Sequence, residues 1–161
     1  MRENYLHHLW KTKRIPFHAL TLCTQESFEI VNPGKYNENA SGPDFLNGRI
    51  KINGILWVGN IEIHVNSSDW YKHNHQNDKA YENVILHVVK DNDIPVIIHG
   101  EIVPTLELKS IIDIKHYNDF QSFFRKKENV ICSSFLKSNH SINLLGFKEK
   151  LFLYKAYLWH S

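Results

Sequence analysis

The densest group of chemistry-bearing side chains lies between Gly42 and Val89, in GPDFLNGRIKINGILWVGNIEIHVNSSDWYKHNHQNDKAYENVILHVV. Asp44, Glu62 and His64 stand there with Asp69, His73, His75, Asp78 and His87. Two carboxylates about 4 Å apart repel by roughly 4 kcal/mol at an effective dielectric of about 20. A fold that keeps Asp44 and Glu62 together therefore puts a cation between them or lets them share a proton. Oxygen donors with few nitrogens suit Mg2+ or Mn2+, and such an ion activates water and clamps a phosphate oxygen. His64, two residues beyond Glu62, has an ordinary pKa of about 6.5 and could orient or deprotonate that water.

A second chemistry is open to the same stretch. His64, His73, His75 and His87, with Asp69 or Asp78, could give Zn2+ three ligands and leave one position for water. Each of these residues also has a plain structural reading. His73-x-His75 is a common pattern, Asp69-Trp70 makes a turn with an anchoring aromatic, and His87 interrupts an apolar run as a hydrogen-bonded core histidine would. Phe45 and Trp57 read as core.

The elements that must position these groups follow from local pattern. A strand spans residues 44–52, Asn53-Gly54 is a strong hairpin signal, and a second strand spans 55–65. Side chains alternate along a strand, so Glu62 and His64 share one face while Ile61, Ile63 and Val65 turn to the core. The hairpin places Asp44 opposite residues 62 to 64. Residues 66–77 are polar, a short helix is expected over 78–82 or from several residues earlier, and the apolar run 84–89 reads as a strand buried on both faces.

Upstream, Tyr5, Leu6, Leu9 and Trp10 give a helix over 3–11 its apolar face. Residues 20–24 and 28–31 read as a hairpin, followed by the turn Asn32-Pro33-Gly34 and a polar loop to Pro43. Downstream, 96–99 and 105–109 read as short peripheral strands, and 113–126 as a helix. A second helix with an apolar stripe is expected over 144–158. Its abrupt apolar ending suggests a longer parent protein, or a surface for an intramolecular or protein partner.

Composition narrows the class. The 161 residues are 42% hydrophobic and 22% charged, which fits a folded domain and excludes a disordered chain. No apolar run approaches the ~20 residues that span a bilayer, so no membrane partner is expected, and the N-terminus lacks the pattern of a signal peptide. Cys23 and Cys132 are far apart, which points to a reduced, cytoplasmic setting. A net charge of +2 is too small to argue for nucleic acid by itself. Lys51, Lys72, Lys79 and Lys90 could still line a local groove.

Pro43-Asp44, then Glu62-Ile63-His64, then a helix and a strand, resembles the core of the PD-(D/E)XK nucleases. The resemblance implies an α+β fold: a mixed sheet in the order helix, three antiparallel strands, helix, strand, with flanking helices and a C-terminal helix. On that view residues 1–110 form the nuclease-like core and 111–161 a helical extension. It also implies that Asp44, Glu62 and the backbone carbonyl of Ile63 hold the metal, and that the activity is metal-dependent cleavage of nucleic acid. One departure is plain: His64 stands where that superfamily has lysine, and histidine carries charge only when protonated. A catalytically inactive scaffold that binds nucleic acid or protein is therefore one alternative, and a His/Asp zinc hydrolase is another.

The chain as a whole is similar to the N-terminal part of a bacterial family known only as a domain of unknown function. Gly42-Pro43-Asp44-Phe45, Gly59-Asn60-Ile61-Glu62-Ile63-His64, Asp69-Trp70, His73-Asn74-His75 and Leu86-His87-Val88-Val89 carry the likeness. It implies no activity, but it does imply that members continue into a further helical region.

Overall fold

Asn53 and Gly54 both adopt positive φ, 50° and 80°, as a two-residue hairpin with the right-handed twist of its strands requires. The turn joins β3 (Phe45–Ile52) to β4 (Ile55–Asn66). Around this hairpin, the computed structural model describes residues 1–17, 20–39 and 41–128. The chain divides into two compact units, Met1–Phe120 and Gln121–Ser161, and the candidate site belongs to the first. The expected helix over 144–158, and any partner for it, lies outside the described residues.

The fold is α+β, built on a curled, half-barrel mixed sheet. α1 is Glu3–Lys11, β1 Phe28–Asn32, β2 Lys35–Tyr36, α2 Asp69–Lys72 and β5 Val84–Asp91. β6 (Ile97–Ile98) and β7 (Glu101–Ile102) form a separate small hairpin, followed by β8 (Thr105–Glu107) and α3 (Ile114–Glu128). The main sheet runs β1-β3-β4-β5-β8, with β2 paired to β3. β1, β3 and β4 are antiparallel, whereas β4 with β5 and β5 with β8 are parallel. One cluster packs Leu6 and Trp10 of α1 with Ile61, Ile63, Leu86 and Val88. A second gathers Trp70, Tyr81, Val84, Val96 and Val103. Residues 84–89 are all buried, as an apolar run covered on both faces predicts.

Several local expectations are corrected. Residues 20–24 are not a strand, and β1 pairs with β3. Leu20 and Leu22 do point into the core, but the segment meets the sheet edge through Cys23 N–H donating to the Thr105 carbonyl. The helix expected over 78–82 is a 3₁₀ turn, Lys79–Tyr81, whose first turn is held by the Asp78 carboxylate accepting from Ala80 N–H. The α-helical turn comes earlier, at α2. β8 is the short edge strand of the main sheet, paired with β5, and it buries Leu106. Trp57 is 43% exposed rather than core. β5 pairs with β4 only from Asn60 onward, so among the described residues Ile55 to Val58 have no strand beyond them.

Gly59 marks that junction. A Cβ there would lie 2.5 Å from Ile85 Cγ2 and 2.6 Å from the Asn83 carbonyl oxygen, and a backbone oxygen cannot swing aside. Gly59→Ala is expected to cost about 1–3 kcal/mol through overpacking, read as a lower urea midpoint. Gly48→Ala should cost less, because its nearest neighbour is the Ile61 side-chain end at 2.7 Å.

Candidate metal centre

Counting back from the Asn53-Gly54 turn, the β3–β4 pairing would set Asp44 opposite Ile63, on the wrong face for Glu62. A bulge changes this. Gly48 pairs with Gly59 but Phe45 pairs with Ile61, and Asn47 between them takes φ 56°. One extra residue shifts the register by one and moves the side chains to the other face. Asp44 therefore comes opposite Glu62. Asp44 N–H donates to Glu62 Oε2 at 3.0 Å, and Ile63 N–H donates to Asp44 Oδ2 at 2.9 Å. Nε2 of His7, on α1, lies 3.0 Å from the same Asp44 oxygen.

The other oxygen of Glu62 faces histidines. Glu62 Oε1 is 3.4 Å from His64 Nε2 and 3.4 Å from His75 Nε2. His73 Nδ1 is 3.2 Å from His64 Nε2, and His64 Nδ1 is 2.9 Å from His87 Nε2. Asn74 adopts φ 61° between the two histidines of His-x-His and turns the chain back. Tyr81 stacks on His75 with centroids 3.8 Å apart, and Trp70 sets its ring against His75, His87 and Tyr81. Glu62, His64 and His87 are buried, His75 is partly exposed and His73 is exposed. The site thus has a sealed floor and an open rim.

Electrostatics follow from that burial. Desolvation, then the charge of Asp44, pushes the Glu62 carboxyl up to about 9. Burial, then the neighbouring imidazoles of His87, His75 and His73, takes His64 down to about 2. Burial, then His75, takes His87 down to about 3, and burial lowers His75 as well. Burial also opposes the charge on His7, but its bond to Asp44 and the charges of Asp44, Glu3 and Glu62 outweigh it, and its pKa is raised. Near neutral pH the floor is a protonated carboxyl among neutral imidazoles, whose ring lone pairs are available.

The predicted residues separate into two groups. Asp44, Glu62, Ile63, His64, His73, His75 and His87 come together. Asp69 instead accepts from Asn66 N–H and pairs with Lys72, and Asp78 holds its own 3₁₀ turn. His87 is fully buried, and its Nε2 lies 2.9 Å from His64 Nδ1. The sequence reading missed His7 and Tyr81, which reach the site through tertiary contacts and left no local pattern. It also missed Asn47, whose only trace is an Asn-Gly pair inside a strand.

The donor atoms of His64, His73 and His75 lie within 4.8 Å of one another and could hold a metal ion. An α+β domain with a buried histidine and carboxylate cluster on a parallel strand pair is the class that fold and site define. Within it, the chain belongs to the family described as "Protein of unknown function (DUF2851)", matched over residues 3–156. No curated protein and no solved structure matches it. No helix among the described residues is long and apolar enough to cross a membrane.

Proposed function

We propose that this protein is a metal-dependent hydrolase, with phosphodiesters as its substrate class. One observation carries the reading: two carboxylates 18 residues apart are bound to each other's strands at the edge of a histidine cluster. The order of helix, antiparallel strands, connecting segment and parallel strand, with Asp44 and Glu62-x-His64 on adjacent strands, supports the likeness to PD-(D/E)XK nucleases. A divalent ion at the site would supply Lewis acidity and lower the pKa of its bound water towards about 7. The residues fit Mg2+ on Asp44, Glu62 and the Ile63 carbonyl poorly. Asp44 Oδ2 already meets Ile63 N–H and His7, Glu62 Oε2 accepts from Asp44 N–H, and the remaining Glu62 oxygen faces nitrogens. Asp44 holds His7 at the rim, where a protonated imidazole can bind a phosphate oxygen or hand a proton to a leaving group.

Charge argues for a short substrate over a long duplex. Lys51, Lys72 and Lys90 are ion-paired with Glu29, Asp69 and Asp91, so only Lys79 of the four candidate groove lysines keeps its charge unpaired by them. The test is hydrolysis of bis(p-nitrophenyl) phosphate, with plasmid nicking alongside, in Zn2+, Mn2+ or Mg2+. Wild-type turnover should fall to background in Glu62→Ala. Equal turnover by that variant would overturn the reading. Activity confined to carboxylic esters in the same panel would favour a zinc hydrolase of non-nucleic substrates.

A further inference from the structure

We infer that His64, His73 and His75 each turn a ring nitrogen to one site for Zn2+, with the Glu62 carboxyl beside it, and that His87 is a positioning residue that aims His64 at the ion. The inference rests on the same side chains as the proposed hydrolase. Its test reads metal content, so the two can fail separately.

Geometry is the first support. Zinc bonds to imidazole nitrogen and carboxylate oxygen of about 2.0–2.2 Å place tetrahedral donors about 3.3–3.6 Å apart. The three histidines bring ring nitrogens within 4.8 Å of one another, with His73 Nδ1 3.2 Å from His64 Nε2, and Glu62 Oε1 lies 3.4 Å from both His64 Nε2 and His75 Nε2. Hydrogen bonding does not account for all of them, because N–H···O bonds cluster at about 2.9–3.0 Å. His75 Nε2 is buried and makes no hydrogen bond, although it lies within 3.4 Å of a carboxylate oxygen. A buried ring nitrogen without a partner is costly unless something else fills that role. An ion held by the three histidines would satisfy it.

Donor chemistry is the second support. Three imidazoles suit zinc, whereas Mg2+ demands an octahedral set of oxygens.

Surrounding contacts are the third. A ligating histidine usually bonds its other ring nitrogen to a partner that fixes tautomer and tilt. His64 does so: with Nε2 toward the ion, Nδ1–H donates to His87 Nε2 at 2.9 Å. Glu62 is steadied likewise, its second oxygen accepting Asp44 N–H. Tyr81 and Trp70 wall in the His75 ring.

The test is metal analysis of the purified full chain, followed by titration of the chelator-stripped protein with Zn2+, Co2+ and Mg2+. About one equivalent of Zn2+ should bind, with Mg2+ unable to compete, and Co2+ should give the intense visible bands of a tetrahedral centre. His73→Ala is at an exposed position and should fold normally, yet lose more than about 100-fold in zinc affinity. His87→Leu should lose about 10–100-fold and alter the Co2+ bands. His87→Gln keeps an acceptor and should recover part of both. Octahedral Co2+ bands, or unchanged affinity in His73→Ala, would overturn the site, and equal losses for His87→Leu and His87→Gln would overturn the positioning role. Zinc binding without turnover would count against the hydrolase alone, and Mg2+-supported turnover in a chain that retains no zinc would count against this inference alone.

Discussion

Trp70→Ala lowers the unfolding free energy by about 3–5 kcal/mol, the range for removing a large buried aromatic, and abolishes metal binding with it. Trp70 has no exposed surface and anchors the smaller core cluster with Tyr81, Val84, Val96 and Val103. Its ring also touches His75 and His87 edge-on. The element that carries it, α2, is only four residues long, far below the ~12–15 residues at which a helix is even marginal by itself. The segment bearing His73 and His75 is thus held over β4 by packing, and Trp70 is its largest buried piece. A cavity there frees two of the three proposed donors. Trp70→Phe should be milder, because Trp70 Nε1 has no hydrogen-bond partner to lose. Urea denaturation with zinc titration checks both variants. A loss below about 1 kcal/mol for alanine would show that the segment is held by something else.

What the sequence disclosed, and what it hid, divides along the range of the interactions involved. α1 was legible to the residue because its apolar spacing is local, and the Asn53-Gly54 hairpin because positive φ at two adjacent positions selects those residue types. From the hairpin came the alternation that puts Glu62 and His64 on one face. The bulge at Asn47 was not legible. An Asn-Gly pair inside an otherwise regular strand does not announce a left-handed residue, yet that one residue decides whether Asp44 meets Glu62. Residues 20–24 misled because they alternate as a strand does while pairing hardly at all. The burial of Glu62 and His64 also depends on residues 67–83 folding back over β4, a tertiary event that no local periodicity encodes. His7 illustrates the limit best: its place beside Asp44 joins residues 37 positions apart.

In the metal-free protein, stability should peak at about pH 6.5 and fall on both sides. His64 and His87 titrate at about 2 and about 3 in the fold, against an ordinary 6.5. Their stabilisation is fully present above about 6.5 and is lost as pH falls, because the unfolded chain takes up two protons that the native state refuses. His75 is shifted the same way and adds to this acid limb. Glu62 runs in the opposite direction, from 4.5 to about 9. Its stabilisation is complete below 4.5 and is lost as pH rises towards 9, because the unfolded chain releases a proton that the native carboxyl keeps. His7, with its pKa raised, likewise contributes below 6.5 and loses that contribution above it. Between pH 4.5 and 6.5 two histidines oppose one carboxyl, a net slope of roughly 1 kcal/mol per pH unit, steepening to roughly 3 below that. Above 6.5 the Glu62 limb alone slopes by roughly 1 kcal/mol per unit the other way. Denaturant titrations in chelator from pH 4 to 9 measure the profile. Saturating Zn2+ should shrink the alkaline fall to the share carried by His7, since the ion's charge keeps the neighbouring Glu62 ionised in the native state, and should steepen the acid one as protons compete for the imidazoles. An alkaline limb that zinc leaves unchanged would show that Glu62 does not feel the charge of the bound ion.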